Sequence, residues 1–299
     1  MDNSLVLGTR GSGLALTQSR WVAASLMAIH PGLGVQLKII RTKGDRLQRR
    51  GATSGVLPKG LFTAELERAL LAGAIDLAVH SLKDLPVDDP PGLAVAAVPE
   101  RASAHDVLIT RGATSLGALP ERPVIATGSP RRRLEILRIR PDANVIPIRG
   151  NVDTRIEKLR RNAEWHAIVL AEAGISRLGP DLSGLAVTAI PFEHILPAPG
   201  QGALAIQARA TDPKTCSFVG ALDHGPTRIE VAVERAFLRG MGGGCGIPLG
   251  ARARADGQYI TLEARLYDAG ERLKEFREHF AADEAVAKAE TFGRLAVSA

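Results

Sequence analysis

Four stretches place arginine where a strand-like run gives way to a helix-like one. Gly8-Thr9-Arg10-Gly11-Ser12-Gly13 lies between the apolar Leu5-Val6-Leu7 and a helical pattern from about Leu14 to Ile29. Backbone N–H groups at a helix start attract anions, and Arg10 and Ser12 can add to that attraction. The glycine spacing is not that of a dinucleotide fingerprint, and the Gly-Lys-Ser/Thr of a phosphate loop is missing. Thr127-Gly128-Ser129-Pro130-Arg131-Arg132-Arg133 repeats the arrangement, with proline opening the helix. Cations in a first turn oppose the helix dipole, so a bound anion is one reason for them and a solvated basic face is the other. Arg149-Gly150-Asn151-Val152-Asp153-Thr154-Arg155 and Ala171-Glu172-Ala173-Gly174-Ile175-Ser176-Arg177 supply the third and fourth junctions. In an open parallel sheet the carboxyl ends of strands share one edge, where ligands bind. Four such junctions on that edge predict one cationic cleft.

Two further residues stand out. His80-Ser81-Leu82-Lys83-Asp84 closes the strongly apolar strand Ile75–Val79. An aspartate flanked by lysine at that edge suits general acid/base work or a hydrogen bond to a substrate N–H; a surface turn before Pro86 is the plainer reading. Cys245 sits in Met241-Gly242-Gly243-Gly244-Cys245-Gly246. A single thiol among glycines, with no CxxC partner, reads as a nucleophile or an attachment point, against the alternative of a small buried hydrophobe. Cys216 reads as core. The 7 histidines show no HExxH or paired spacing, and no metal is expected.

The elements that must carry these residues follow from periodicity. The first third reads as βαβ units: strands at Leu5–Gly8, Val35–Arg41, Ile75–Val79 and Leu93–Val98, with a helix carrying Phe62, Leu66, Ala69 and Leu70 that stops at Gly73. Residues 42–59, polar and glycine-containing, have no hydrophobic period and read as a mobile surface loop, a lid candidate. A second unit opens near residue 104. It has strands at Val107–Thr110, Val124–Ala126, Val145–Ile148 and Ala167–Ala171, and helices at Arg131–Arg140 and Asp153–Asn162. Alternation of this kind predicts a mostly parallel sheet with right-handed crossovers. The joint Pro197-Ala198-Pro199-Gly200-Gln201-Gly202 precedes a strand at Ala203–Ala208 and is placed to return the chain to the first unit. After a helix from Thr227 to Arg239 come alternating segments at Ala251–Ala255, Tyr259–Tyr267 and Leu273–Phe280, which predict a small antiparallel α+β unit.

Composition bounds the function. The chain has 299 residues, 45% hydrophobic and 23% charged, which excludes a disordered or collagen-like protein. No run approaches the ~18 apolar residues of a membrane span. The start Met1-Asp2-Asn3-Ser4 lacks a basic n-region, so the expectation is a soluble cytoplasmic protein without a signal peptide. The net charge of +6 comes with 30 arginines against 8 lysines. Arginine's planar fork suits carboxylate or phosphate, though a GC-rich genome writes the same skew. Nucleic-acid binding would call for stacking aromatics, and 7 Phe, 2 Trp and 2 Tyr are few.

From Leu5 to about Gly250 the motifs, in order, resemble the porphobilinogen deaminase (hydroxymethylbilane synthase) family. The resemblance rests on Gly8-Thr9-Arg10, Lys59-Gly60-Leu61-Phe62, Ala78-Val79-His80-Ser81-Leu82-Lys83-Asp84-Leu85-Pro86 and Arg149-Gly150-Asn151. It continues through Arg155, Ala173-Gly174, Arg177-Leu178-Gly179, Pro199-Gly200-Gln201-Gly202 and Gly243-Gly244-Cys245. It implies an α/β fold of two type II periplasmic-binding-protein-like domains, 1–100 with 200–219 and 104–196, plus a small α+β domain at 222–299. It further implies a dipyrromethane cofactor held by a thioether to Cys245. Four porphobilinogens are then added, each losing ammonia, and the linear tetrapyrrole is released by hydrolysis and passed to uroporphyrinogen-III synthase. Asp84 would be catalytic, assisting ammonia loss and stabilising the cationic azafulvene and the pyrrole N–H groups. Arg10, Ser12, Lys83, Thr127, Ser129, Arg131, Arg132, Arg149, Arg155 and Arg177 would bind carboxylates, two on every pyrrole, and Lys59 would sit on the mobile loop. The family suggests a monomer. The chain departs from the usual Ser-Ser-Leu-Arg-Arg at Gly128-Ser129-Pro130-Arg131-Arg132, which puts a hydroxyl contact at 128 in doubt. One extra residue falls between Arg155 and Arg177, in the Arg161–Trp165 stretch, and the C-terminal unit carries little family signal. A two-lobed anion-binding receptor or effector-sensing module would share the arginine cleft but would need neither Asp84 nor Cys245. An ATP-dependent ligase would need the missing phosphate loop.

Overall fold

The computed structural model describes residues 4–45, 60–243 and 246–298. Strand β1 (Ser4–Thr9) runs into α1 (Gly13–Ile29), whose Ser12 side chain caps the helix by accepting from the Ala15 N–H. Strand β2 (Gly34–Ile39), α2 (Ala64–Leu71), β3 (Leu77–Ser81) and β4 (Leu93–Ala97) follow. The second sheet is built from β5 (Asp106–Thr110), β6 (Val124–Thr127), α3 (Pro130–Ile139), β7 (Asn144–Pro147), α4 (Val152–Arg161), β8 (Ala167–Ala171), α5 (Glu172–Leu178) and β9 (Ala186–Ile190). Next comes β10 (Leu204–Arg209), then α6 (Pro213–Gly220).

The two five-stranded sheets have the same plan, β2-β1-β3-β10-β4 and β7-β6-β8-β5-β9. In each, one strand opposes the rest: β10 is antiparallel to β3 and β4, and β5 to β8 and β9. The sheets are mostly parallel, as expected, with the opposed strand entering where the chain crosses over. Strand β5 is the first strand after the outward crossing and β10 the first after the return. In each sheet the opposed strand is thus the one supplied by the crossing chain. The central strands β3, β5, β8 and β10 are buried almost throughout and read as continuous apolar runs, whereas the edge strands β2, β7 and β9 are partly exposed. Leu7, Leu26, Leu77 and Ile206 pack on one side of the first sheet, and Leu66, Leu70 and Ile75 on the other.

One helix was marked in the sequence only by its junction, and one strand has no counterpart there. Helix α5 spans seven residues, too short for a helical period to show, and stops at left-handed Gly179. Strand β9 is a half-exposed edge strand with the weak pattern AVTAI. Cys216, expected in the core, is partly exposed, its thiol lying 3.5 Å from the Arg209 carbonyl.

The C-terminal unit holds α7 (Gly225–Gly240), the antiparallel sheet β11 (Leu249–Asp256), β12 (Tyr259–Tyr267) and β13 (Leu273–Ala281), and α8 (Ala285–Ser298). Phe237 of α7 packs with Ile260, Leu262 and Ala289 against one sheet face. Where this unit meets the two crossing segments, Glu234 is fully buried. It accepts from both terminal guanidinium nitrogens of Arg101 (2.8 and 3.1 Å) and from the backbone N–H groups of Gly200 (2.7 Å) and Ala253 (3.0 Å). The crossing segments touch at Gly202, whose φ is +88 and where a Cβ would lie 2.5 Å from the Ala102 carbonyl. Glu234→Ala would strand the 10%-exposed Arg101 side chain, and breaking a buried pair costs about 3–5 kcal/mol. The expected result is a lowered urea midpoint, with a smaller loss in Glu234→Gln.

Candidate active site

The carboxyl ends of β1, β3, β6 and β8 open on a cleft with two connected chambers. The smaller, about 310 Å³, is lined by Arg10, Ser12, Phe62, Arg155 and Arg177 among others. The larger, about 600 Å³, is lined by Ser129, Arg131, Gln201, Gly246 and Ile247 among others. Lys83, Asp84, Arg132 and Arg149 line both. Asp84 ends a 3-10 turn (Leu82–Asp84) directly after β3 and is exposed to this space, with no side-chain hydrogen bond to another described residue. It is also the only carboxylate among the described residues that lines both chambers.

The predicted arginines divide into two kinds. Arg131 and Arg132, at the start of α3, are buried and share one carboxylate, Asp106, at 2.9 and 2.7 Å. Arg10 is taken by Asp45 at 2.6 Å and lies over the Phe62 ring, 4.2 Å from its centroid. Each of these three arginines thus already has an internal acid within ion-pair distance. Arg149, Arg155 and Arg177 have none among the described residues. Among the described residues Arg155 donates only to the Gly150 carbonyl (2.7 Å) and Arg177 only to that of Gly202 (2.7 Å), while Arg149 makes no side-chain hydrogen bond there. Ser12 and Ser129 line the chambers but already cap α1 and α3. Thr127 lines neither chamber: it is buried, and its hydroxyl accepts from the Ser129 N–H (3.3 Å). Gly128 follows from close packing, since a Cβ there would lie 2.7 Å from the Ile148 carbonyl. Cys245, Lys59 and positions 46–58 of the lid candidate lie outside the described residues; Thr42 is buried, holding Asp45 through its hydroxyl (2.7 Å). Gly246 and Ile247, just beyond Cys245, border the larger chamber.

This donor set carries more positive charge than its own acids answer. Burial, reinforced by Arg132, lowers the Lys83 ammonium from 10.5 to about 8. Burial, with Arg132 and Arg149 near, lowers Arg155 to about 10. The Arg132 Nε is buried without a partner among the described residues. Burying unpaired cations is costly, and an incoming polyanion removes that cost. A dipyrromethane, with two carboxylates per pyrrole, fits such a lining; Arg149, Arg155, Arg177 and Lys83 would hold its carboxylates.

Sequence reasoning passed over Asp106 and Gln201. Asp106 opens a buried strand, and its signal was an acid at the head of an otherwise apolar run, Asp106-Val107-Leu108-Ile109-Thr110. Gln201 was quoted only as part of a loop motif.

Fold and site together define a two-lobed α/β protein with a cation-rich interlobe cleft in which Asp84 lines both chambers. Residues 5–217 match the model of the porphobilinogen deaminase dipyrromethane cofactor-binding domain, and residues 228–297 that of the porphobilinogen deaminase C-terminal domain. A porphobilinogen deaminase of Rubrobacter xylanophilus is 47% identical over 88% of this chain and 84% of its own length. That of Roseiflexus sp. is 42% identical over 89% and 86%. Among solved structures the chain is similar to the methionine-binding protein MetQ, at 12% identity and a TM-score of 0.45 over 79% of this chain and 96% of that one. The chain belongs to the porphobilinogen deaminase family, the hydroxymethylbilane synthases: transferases that carry a dipyrromethane cofactor and act in porphyrin and heme biosynthesis.

Proposed function

We propose that Asp84 performs the chemistry at the junction of the two chambers, on a dipyrromethane attached through a thioether to Cys245. The observation that carries this reading is the position of Asp84, lining both chambers beside Lys83, Arg132 and Arg149. The dipyrromethane, when bound, supplies the pyrrole carbon to which the first porphobilinogen is joined. Asp84 holds the pyrrole N–H groups and faces the positive charge that develops as the aminomethyl C–N bond breaks and ammonia leaves. Its carboxylate is also placed to take the proton displaced when the new carbon–carbon bond forms. Arg149, Arg155, Arg177 and Lys83 bind the added carboxylates as four units accumulate, and water then releases the linear product.

The same reading divides the chain into units at 1–100 with 200–219, 104–196 and 222–299. It makes the protein a cytoplasmic monomer whose product goes to uroporphyrinogen-III synthase. Among the described residues no helix is long and apolar enough to cross a membrane.

The test is the intact mass of the purified protein beside Cys245→Ser. An increment of two porphobilinogens less two ammonias, absent from the variant, supports the assignment. An unmodified mass that porphobilinogen fails to change overturns it. Arg149→Leu tests the carboxylate set. Arg149 has no side-chain hydrogen bond or ion pair among the described residues, so its loss should change stability by no more than about 0.5 kcal/mol. Losing one charged hydrogen bond to substrate should lower kcat/KM by roughly 10–100-fold. Steady-state assay with a urea melt reads both, and unchanged kinetics would remove Arg149 from the site.

A further inference from the structure

Gln201 occupies the return crossing and is fully buried. Its two ends face opposite chemistry. The amide Nε2 donates to Asp106 Oδ1 (2.7 Å) and to the Ala104 carbonyl (2.8 Å), groups that can only accept. The Oε1 accepts from Lys83 Nζ at 3.3 Å and faces an Arg131 guanidinium nitrogen at 3.5 Å, groups that can only donate. The amide therefore has one satisfied orientation, and a flipped one would leave every partner unmatched. Lys83 has no carboxylate within ion-pair distance among the described residues, and Gln201 is the acceptor of its one side-chain hydrogen bond there. Lys83 follows β3 of the first sheet, whereas Asp106, Arg131 and Arg132 belong to the second. One side chain thus links a cation at the catalytic edge of one sheet to the buried acid–arginine cluster of the other.

We propose that Gln201 is a positioning residue: its amide fixes the Lys83 ammonium beside Asp84 and ties it across the cleft to the Asp106–Arg131–Arg132 cluster. The inference rests on the reading of Lys83 and Asp84 as site residues. Glutamine is the side chain that meets both demands. Glutamate would set a second carboxylate against Asp106 and the Ala104 carbonyl, an aliphatic residue would leave Lys83 without an acceptor, and asparagine is one methylene short of spanning the gap.

The test reads Lys83 itself and needs no turnover. Trace acetylation of the purified protein across pH 6–10, with peptide mass spectrometry, gives the midpoint at which Lys83 becomes reactive. The charged groups bearing on it are Arg132, Asp84, Asp106 and Arg131. Gln201→Met removes the acceptor of the charged form, and the midpoint should fall by about one unit. Gln201→Glu supplies a charged acceptor, and the midpoint should rise. Opposite shifts support the proposal. Midpoints within ~0.2 units of the parent in both variants, or shifts in the same direction, overturn it. If Gln201→Met fails to fold, Gln201→Glu decides alone: a midpoint that does not rise overturns the proposal. Failure of the cofactor assignment would show instead as an unmodified intact mass with these shifts preserved.

Discussion

Asp84→Asn is expected to fold, to carry the same mass increment as the parent, and to lose roughly 10²–10⁴-fold in kcat. The fold should tolerate it because Asp84 is exposed at the end of a short turn and bonds no other described side chain. Asparagine keeps the size of the side chain and one acceptor oxygen. It loses the charge that opposes a developing cation and the ability to accept a proton. Both losses are felt in the transition state more than in the bound substrate, so kcat should fall while KM changes little. Rapid-quench measurement of a single porphobilinogen addition separates that step from product release. A rate within a few-fold of the parent would take Asp84 out of the chemistry.

The second large effect is on stability. Asp106→Asn leaves Arg131 and Arg132 buried without a counter-charge and turns an amide donor toward guanidinium donors. Removing one partner of a buried ion pair costs about 3–5 kcal/mol, and the urea midpoint should show it. The same carboxylate sets an acid limit. Burial alone would raise its pKa, but Arg131 and Arg132 outweigh burial and hold it well below the usual range. The unfolded chain, with an ordinary aspartate near about 3.9, then binds more protons than the fold as the pH drops. Stability from this group is therefore full above about pH 5 and is lost progressively below about 4. His80 acts earlier. It is 5% exposed, and burial lowers it from 6.5 to about 4, so the unfolded state takes up its proton first. Stability should fall between about pH 6.5 and 4 by up to about 3 kcal/mol from His80 alone. Urea midpoints at pH 7.5, 5 and 3.5 check both limbs. Asp106→Asn should flatten only the lower one, and equal slopes in the two proteins would refute the assignment.

The strand and helix periods were legible because each lies within a window of ten or so residues: β8 at Ala167–Ala171 and α4 at Val152–Arg161 fall within a residue of expectation. The short α5 showed only as a strand-to-helix junction, without its length, and the edge strand β9 did not show at all, since too few residues repeat in either for a pattern to emerge. The opposed strands were also hidden, because an apolar run such as Leu204–Arg209 has the same composition whichever way it enters a sheet.

By itself the sequence determined the chemistry on offer: an aspartate closing a buried strand, a glycine-set cysteine, and arginines at four strand-to-helix junctions, in an order that marks the family. Only the tertiary structure decided which of those arginines are already answered from within. Arg131 and Arg132 meet Asp106 from 25 or more positions away, and Arg10 meets Asp45 across 35, while Arg149, Arg155 and Arg177 meet no acid among the described residues. Charge compensation acts over a few ångströms of space and takes no account of distance along the chain, so residue types alone cannot sort a bound cation from an open one.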